Sequence, residues 1–434
     1  MSKLADFVAG IELPEMIEMK QTYPRPTVPD IAREVQEQLE KSGIASRIQP
    51  GASIALTGGS RGIANIALIL KETAAFVKSK GGHPFIIPAM GSHGGAEASG
   101  QREILHALGV TETFCRCPIH SSIKTDFLGI TEHAKIPVYE DHYAHEADGV
   151  ILINRVKPHP SFSGRIESGV CKMAAVGLGK QKGAAAYHQL GISHMSETVQ
   201  EVASYMFEHG NIIGGIGIVE NAYDETALIE AFPTEQILTR EAELLKTAYQ
   251  NFPQIYFKQY DTLLVEEMGK NISGAGMDTM VISRYTHDGI PHEKQQQTIC
   301  VLDLTKETHG NACGMGLADI ITKRFAESID FMATYPNNLT SRVLGSCKMP
   351  LVTDNDYTAI QTAIHCCTGI DQKQVKMIWI QNTLDISRIL ISRALYEEWK
   401  NNRDQYPFVA QVGTLRKMEF APDGTLIRLP RCHL

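Results

Sequence analysis

Histidines are concentrated in one part of the chain. Ten of the 16 His residues lie between His83 and His194, about a quarter of the 434 residues. Histidine is the side chain whose charge changes near neutral pH, and its imidazole is the commonest nitrogen ligand for metals. The concentration therefore predicts a proton-transfer or metal site in this part of the chain.

Two of these histidines follow apolar runs that have the composition of buried strands. His93 lies in the loop Gly91–Gly95, directly after PFIIPAM, and His159 lies in Lys157–Pro160, directly after DGVILINRV. Open α/β sheets hold their ligands at the carboxyl ends of their strands. We therefore predict that His93 and His159 flank one substrate and act as an acid/base pair. A structural hydrogen-bonding role is the alternative for each of them.

A lysine and another histidine follow in a segment rich in Gly and Ala. Lys172 lies in the apolar stretch Val170–Ala175, and burial there would lower its pKa and make the amine a better nucleophile. His188 lies 16 residues further along the chain. The small residues between them would allow a bulky, flat group to lie against the backbone. A surface position with a buried stem is the alternative for Lys172.

A Gly-rich turn precedes these segments. Thr57–Ile63 (TGGSRGI) follows a predicted strand and opens a predicted helix. Backbone N–H groups at a helix N-terminus bind anions, and glycines allow a phosphate or carboxylate to approach closely. We predict that Gly59, Ser60 and Arg61 hold such an anion, with the guanidinium as an additional donor. A tight structural turn is the alternative.

The same turn resembles the cofactor turn of short-chain dehydrogenases, so an NAD(P)-dependent dehydrogenase is an alternative function. Ala64 replaces the glycine that would complete that fingerprint. The pattern Tyr-x-x-x-Lys occurs only as Tyr396 and Lys400, far along the chain from the turn. This pair is better explained as two neighbours on the surface of a helix.

The residues between these motifs predict the elements that must position them. Apolar runs bounded by turn residues predict strands, and apolar residues at helical spacing predict helices. The predicted strands are 52–56, 84–90, 148–156, 212–219, 261–266, 297–304 and 376–381, and the predicted helices are 63–80, 95–108, 234–250, 315–328, 355–366 and 386–401. A hairpin is predicted over 408–430. Strands that alternate with helices predict parallel βαβ units and an α/β fold.

The length predicts two α/β domains with mostly parallel sheets and a cofactor and substrate cleft between them. We place the boundary near residue 250. Residues 1–250 would carry the cofactor and the acid/base residues, and residues 251–434 would determine substrate specificity and close the cleft.

The composition is that of an ordinary globular chain. It has 41 basic and 49 acidic residues, a net charge of −8 and no stretch rich in Lys and Arg, which argues against a nucleic-acid partner. No apolar run approaches the ~20 residues of a membrane span, and the N-terminus lacks the pattern of a signal peptide. Nine cysteines in so long a chain do not form a disulfide framework. We predict a reduced, cytoplasmic protein without a membrane or nucleic-acid partner.

Taken together, the motifs resemble the nickel-dependent lactate racemase family. The resemblance rests on Gly-Gly-Ser-Arg, Gly-Ser-His-Gly-Gly and Pro-His-Pro, followed by Lys172 and His188, and it covers the chain from about Ala52 to Gly191. It implies a nickel pincer nucleotide, derived from nicotinic acid mononucleotide and tethered to Lys172 through a thioamide. It implies that His188 binds the nickel and that separate maturation proteins make the cofactor.

The resemblance also implies roles for other residues. His93 and His159 would be the acid/base pair, and Arg61 would contact cofactor or substrate. Two features depart from the family: Gly58 stands where an acidic residue is usual, and the segment between His159 and Lys172 is longer and holds Arg165–Glu167. We therefore expect a homologue that acts on a small 2-hydroxy acid other than lactate.

The implied reaction is inversion at C2 of that acid. Hydride would pass to the cofactor while one histidine takes the hydroxyl proton, and hydride would return to the opposite face. A polar, Gly-rich loop after the predicted strand 261–266 offers Lys270, Asn271 and Asp278 to the substrate, which favours a polyhydroxy acid such as an aldonate. An ordinary surface loop is the alternative there. A non-catalytic protein that sequesters metal or anions is the remaining alternative function.

Overall fold

The computed structural model describes residues 3–187, 190–286, 290 and 295–428. The chain divides into two compact units, Pro24–Phe252, here the first unit, and Met1–Tyr23 with Pro253–Leu434, here the second unit. The break after Phe252 lies close to the expected position near residue 250. The assignment of residues 1–23 differs from the sequence-based one, because this segment pairs with strands of the second unit.

The elements are as follows in chain order. The strands are β1 (Met16–Gln21), β2 (Ser53–Gly58), β3 (His83–Pro88), β4 (Thr125–Ile130), β5 (Pro137–Asp141), β6 (Gly149–Arg155), β7 (Ile212–Glu220), β8 (Thr226–Pro233), β9 (Thr262–Met268), β10 (Thr298–Leu304), β11 (Ile320–Thr322), β12 (Leu351–Thr353), β13 (Met377–Ile380), β14 (Arg388–Ser392) and β15 (Val409–Gln411). The helices are α1 (Lys3–Val8), α2 (Ile31–Lys41), α3 (Ile66–Ser79), α4 (Ala98–Ala107), α5 (Glu112–Cys115), α6 (His142–Glu146), α7 (Val170–Lys172), α8 (Lys180–Tyr187), α9 (Met195–His209), α10 (Ile237–Asn251), α11 (Lys323–Glu327), α12 (Phe331–Ser341), α13 (Asp356–His365) and α14 (Arg393–Asn401). A π-helix over Met173–Leu178 connects α7 to α8.

The first unit is built on a sheet with the strand order β3-β2-β6-β7-β8. The pairs β3-β2, β2-β6 and β6-β7 are parallel, and β8 runs antiparallel to β7. Side chains alternate between the two faces of a strand. Ile54 and Leu56 of β2 pack in one buried cluster with α2 and α3, while Ala55 packs in another with α9 and α10. Because both faces are covered, the strands read as continuous apolar runs in the sequence.

The second unit contains a sheet with the order β12-β11-β10-β9-β13-β14-β1-β15. The strands from β12 to β13 are parallel, and β14, β1 and β15 each pair antiparallel with their neighbours. Its core packs α13 against Leu264, Leu302 and Trp379 of the sheet. The chain is thus an α/β protein with mixed, mostly parallel sheets, and the predicted fold class is confirmed.

Two predicted helices are wrong in part, both in the second unit. Within 315–328, Ile320–Thr322 forms β11, and the helix begins only at Lys323. Within 386–401, Arg388–Ser392 forms β14, and the helix begins at Arg393. Short apolar runs do not distinguish strand from helix, and here pairing across the chain decides. One of the two partners of β14 is β1, which lies more than three hundred residues away in sequence.

None of the helices in the described part of the chain is long and apolar enough to cross a membrane.

Candidate active site

Three of the predicted motifs follow adjacent parallel strands of the first unit. The Gly-rich turn follows β2, the loop of His93 follows β3, and the loop of His159 follows β6. Among the strands of this sheet β2 comes first in the sequence, and the later strands pair with both of its edges, β3 on one and β6 on the other. The order therefore reverses at β2, and the carboxyl end of a sheet at such a point is where open α/β folds bind ligands. The topology brings these three loops to one edge.

The Gly-rich turn is not the N-terminus of a helix, contrary to the sequence-based expectation. Helix α3 begins at Ile66, and the backbone N–H of Ala64 donates to Glu220 Oε1 at 2.7 Å. The other oxygen of Glu220 is ion-paired with Arg155 of β6. A carboxylate thus takes one of the backbone donors that a cofactor phosphate could use at this turn.

The side chain that the turn offers is Arg61, which is exposed. The turn itself lies against the segment that carries Lys172, since a Cβ added to Gly59 would come within 3.3 Å of Met173 Cε. A side chain at this position would crowd the end of Met173, so the glycine favours the close approach. Gly59 thus lies next to the π-helix, and the cofactor role of Gly59, Ser60 and Arg61 stays a prediction.

Lys172 lies at the junction of α7 and the π-helix. Such π-helical segments are rare and frequently lie at functional sites. Burial among apolar neighbours, together with the positive charges of Lys157 and Arg61, lowers the pKa of Lys172 from 10.5 to about 7. Its Nζ lies 5.8 Å from the centroid of the Phe162 ring. At neutral pH a substantial fraction of this amine is therefore uncharged and nucleophilic.

Lys172, Lys157 and Arg61 form a cationic group in a chain of net charge −8. Lys157 also interacts electrostatically with Asp224. Among the residues that the structure describes, neither Arg61 nor Lys172 has a carboxylate within ion-pair distance. A cluster of like charges without full compensation favours an anionic ligand. Lys157 was not among the predicted site residues, although it precedes the Pro-His-Pro motif directly.

A buried carboxylate on another helix binds the backbone of the segment that carries Lys172. Glu241 of α10 accepts the backbone N–H of Cys171 at 2.7 Å, and burial raises the pKa of Glu241 to about 7. This bond satisfies one of the N–H groups that a helix start leaves without a partner. Sequence analysis missed Glu241, because nothing in a surface-like helical pattern shows that one of its glutamates is buried.

The loop of His93 is held by a network of buried polar side chains. Gln101 of α4 donates from Nε2 to the carbonyls of Gly91 at 3.1 Å and His93 at 3.3 Å. Its Oε1 accepts from Lys180 at 3.1 Å, and Lys180 is ion-paired with Asp141 at 2.8 Å. Lys180 also donates to the carbonyl of Pro88 at the end of β3. The ring of His93 itself is exposed, so a fixed loop presents it to solvent.

The loop of His159 is organised by Glu167, which is 1% exposed. Glu167 Oε2 accepts the backbone N–H of His159 at 2.7 Å, and Oε1 accepts from Gly164 N at 3.0 Å and from the hydroxyl of Tyr249 at 2.8 Å. Burial raises the pKa of Glu167, and these hydrogen bonds oppose that effect. Glu167, which lies in the segment between His159 and Lys172, thus fixes the loop of His159.

The predicted nickel ligand His188 lies outside the described residues, directly after the end of α8. Within the described residues, no group of three or more His, Cys, Asp or Glu side chains could hold a metal ion. The prediction for His188 stays a prediction.

The predicted substrate residues belong to the second unit, in the loop after β9. Lys270 Nζ donates to the carbonyl of Gly274 at 2.6 Å, and Asn271 Oδ1 accepts the hydroxyl of Thr305 at 2.6 Å. Asp278 Oδ1 accepts the backbone N–H of Met280 at 3.0 Å. These polar groups stabilise their own loop, and their role toward a substrate stays a prediction.

A cavity of about 650 Å³ in the second unit lies elsewhere, at the amino ends of β9 and β10. It is lined by Gln259, Tyr260, Asp261, Gln295, Gln296, Gln297, Ile370, Asp371, Gln374 and Lys376. None of the predicted site residues lines it.

The fold and the site define an α/β protein with a cationic group and two fixed histidine loops at the carboxyl edge of a parallel sheet. No protein-family model and no curated protein matches the chain. A solved structure, the lactate racemase apoprotein from Thermoanaerobacterium thermosaccharolyticum, is similar to it over 66% of this chain and 74% of that chain, with 13% sequence identity and a TM-score of 0.43.

Proposed function

We propose that this protein is a racemase or epimerase that inverts C2 of a 2-hydroxy acid with a nickel pincer nucleotide bound covalently to Lys172. The proposal rests on one observation. A lysine of lowered pKa lies beside Arg61 and Lys157, near the carboxyl edge of the sheet, where the two histidine loops also begin. Such a group combines a nucleophilic amine with cations that attract phosphate and carboxylate.

The residues present fit this cofactor. Formation of an amide-type bond needs an uncharged amine, and a pKa of about 7 makes that form of Lys172 available at neutral pH. The nucleotide carries a phosphate, for which Arg61 and Lys157 are suitable partners. Gly59 leaves room for a close approach between the turn and Met173. When bound, the group supplies a hydride acceptor.

The remaining chemistry would belong to the chain's own residues. Arg61 and Lys157 would orient the substrate carboxylate or the cofactor phosphate, and His93 and His159 would handle the hydroxyl proton at operating pH. In this proposal the first unit supplies the chemistry, and the loop with Lys270, Asn271 and Asp278 in the second unit selects a polyhydroxy acid. His188 would complete the site as the nickel ligand.

The decisive experiment is peptide mass analysis of protein co-expressed with the cofactor maturation proteins. We expect a mass increment of the nucleotide on the peptide that contains Lys172, together with racemisation of a 2-hydroxy acid in a chiral assay. His188→Ala should retain the lysine adduct while its nickel content falls sharply. An active protein with an unmodified Lys172 would refute the proposal.

A dehydrogenase using the TGGSRGI turn is the alternative enzyme. It would bind NAD(P) reversibly and leave no covalent adduct. The bond between Glu220 and the Ala64 N–H disfavours it, because a pyrophosphate at that place would meet a carboxylate. NAD titration and intact mass separate the two functions. A protein that only sequesters metal or anions would bind its ligand and leave every 2-hydroxy acid unchanged.

A further inference from the structure

We propose that Glu241 is the positioning residue of Lys172: its buried carboxylate caps the start of the helix that carries the lysine and so keeps the amine in the apolar surroundings where it is nucleophilic. The proposal deepens the proposed function, on which it rests for Lys172 as the modified residue. Glu241 belongs to α10 and acts through the backbone of the residues that directly precede Lys172.

The helix that carries Lys172 begins without a capping side chain of its own. Its N-cap residue is Gly169, and the first N–H groups of a helix have no partner within the helix. Glu241 supplies the acceptor from another element. Its Oε2 accepts the backbone N–H of Cys171 at 2.7 Å, and the N–H of Val170 also interacts with this carboxylate. The tertiary structure thus provides the cap that the local sequence lacks.

Gly169 makes room for that carboxylate. A Cβ added to Gly169 would lie 2.5 Å from Glu241 Oε1 and 2.7 Å from its Cδ, which is too close for atoms without a bond. The backbone of Gly169 is extended, with φ 176°, so the contact and not the backbone requires glycine here. Asn154 of β6 holds the same residue, because its Nδ2 donates to the carbonyl of Gly169 at 2.7 Å. Gly169 and Glu241 are therefore matched in shape.

The cap is an expensive one. Glu241 is 1% exposed, and within the described part of the chain its Oε1 has no hydrogen-bond partner. Burial raises the pKa of Glu241 to about 7, and the hydrogen bonds from Cys171 and Val170 oppose that effect. A Ser, Asp or Asn at the N-cap position would cap the same helix without a buried carboxylate. Such a cost is typical of residues that serve a functional site.

Glu241 acts on Lys172 through geometry. Among the residues that the structure describes, the charges that act on this amine are those of Lys157 and Arg61. Glu241 instead binds the backbone of Cys171, which is fully buried and directly precedes the lysine. Without the cap the start of the helix would fray and water would reach the amine, so the pKa of Lys172 would return toward its ordinary value.

The test measures Lys172 in the protein without cofactor. Pulse labelling with an amine-reactive reagent over a range of pH, followed by peptide mapping, gives the midpoint of its titration. Glu241→Ala removes the cap, whereas Gly169→Ala displaces the carboxylate and leaves the acid in place. We expect each of them to raise the midpoint by about one pH unit or more, because the amine loses its apolar surroundings.

Glu241→Gln separates hydrogen bonding from charge. Its amide oxygen can still accept the N–H of Cys171, and its amide nitrogen takes the place of Oε1. We therefore expect a midpoint close to that of wild type. The matched controls are Glu243→Gln, an exposed glutamate of α10 that is paired with Lys246, and Gly10→Ala, where an added Cβ has nothing within 4 Å. Both controls should leave the midpoint unchanged.

Denaturant unfolding of each variant measures stability separately from the titration. A merely structural role would lower the stability of Glu241→Ala and leave the Lys172 midpoint at its wild-type value, and this result would overturn the proposal. A shift in Glu241→Gln as large as that in Glu241→Ala would also overturn it, because charge would then be responsible. If Glu241→Ala does not fold, Gly169→Ala and Glu241→Gln decide, since one displaces the carboxylate and the other keeps its shape.

Co-expression with the maturation proteins separates this proposal from the proposed function. We expect the mass increment on Lys172 in wild type and in Glu241→Gln, and a several-fold lower yield in Gly169→Ala. Equal yields in all three proteins would contradict the positioning role and leave the racemase proposal standing. Wild-type protein without the increment would contradict the proposed function, while the titration of Lys172 would still decide the role of Glu241.

Discussion

The loops at the carboxyl edge of the first unit's sheet and the loop after β9 in the second unit are both polar, yet they use their charges differently. In the second unit, Lys270 and Asp278 hydrogen-bond to the backbone of their own loop. In the first unit, Arg61 and Lys172 lie close to another cation, and within the described residues neither forms an ion pair.

The difference indicates that the first unit carries out the chemistry and that the loop after β9 contributes to the choice of substrate. Holding like charges together costs free energy in the folded protein, and such strain is typical of functional sites. A loop whose polar groups bind one another is stable without a ligand. Such a loop offers a substrate a defined surface and a few additional hydrogen-bond donors.

The largest effect should follow from Lys172→Met. Without the amine no covalent adduct can form, so we expect no mass increment and no measurable racemisation. Lys182→Met is the matched control, since Lys182 is exposed on α8 within the same segment. Mass analysis of both co-expressed variants checks the prediction, and an adduct that persists in Lys172→Met would show that another residue holds the cofactor.

Arg61→Met should have the next largest effect. Hydrogen bonds to charged groups contribute about 1.5–3 kcal/mol, so loss of the guanidinium should weaken anion binding roughly 10- to 100-fold. Calorimetric titration of the protein without cofactor with inorganic phosphate measures this directly. Arg47→Met, which removes an arginine paired with Glu235 in the same unit, should leave phosphate affinity unchanged. Equal losses in both variants would mean that phosphate responds only to net charge.

The reactivity of Lys172 should depend on pH with a midpoint near 7. Since its pKa is about 7, the uncharged fraction should rise about tenfold between pH 6 and pH 8. Pulse labelling with an amine-reactive reagent, followed by peptide mapping, measures the rate at this lysine. Phosphate should shift the midpoint upward, because a bound anion favours the charged amine. A rate that keeps rising well above pH 9 would contradict the lowered pKa.

The same pKa predicts a change in stability. The folded protein holds Lys172 largely uncharged above pH 7, whereas the unfolded chain keeps it charged up to its ordinary value of 10.5. Between these limits the unfolded state binds more protons, so this residue's contribution to the free energy of unfolding increases with pH. Denaturant unfolding of wild type and Lys172→Met at pH 7 and pH 9.5 should show this increase only in wild type.

The smallest effect should come from the second unit. We expect Lys270→Met to raise the KM for a polyhydroxy acid by about threefold, with little change in kcat, because loss of a uniformly used contact weakens binding alone. Phosphate affinity of the first unit should not change. Asn402→Ala is a control in the same unit, since the side-chain amide of Asn402 donates to the carbonyl of Glu398 at the end of its own helix. A large loss of kcat in Lys270→Met would contradict the assignment of substrate selection, and not chemistry, to the loop after β9.

The central strands of the first unit were predictable, because β2, β3, β6 and β7 are largely buried and the motifs stand at the ends of such apolar runs. Strands β4, β5 and β8 of this unit were not predicted, since their side chains are less completely buried. The second unit was less predictable. The segments that form β11 and β14 are too short to reveal their type, and β14 depends on β1 from the other end of the chain. Local patterns carry no information about such distant pairing.

The sequence by itself determined the residue types that could do chemistry and their places after strands: Arg61, His93, His159 and Lys172. Only the tertiary structure decided which charges meet. Lys157 and Arg61 come near Lys172 because β2 and β6 are neighbours. The burial of Gln101, Glu167, Lys180 and Glu241 likewise follows from the packing of distant elements, since the free energy of a buried polar group depends on partners that lie far away in sequence.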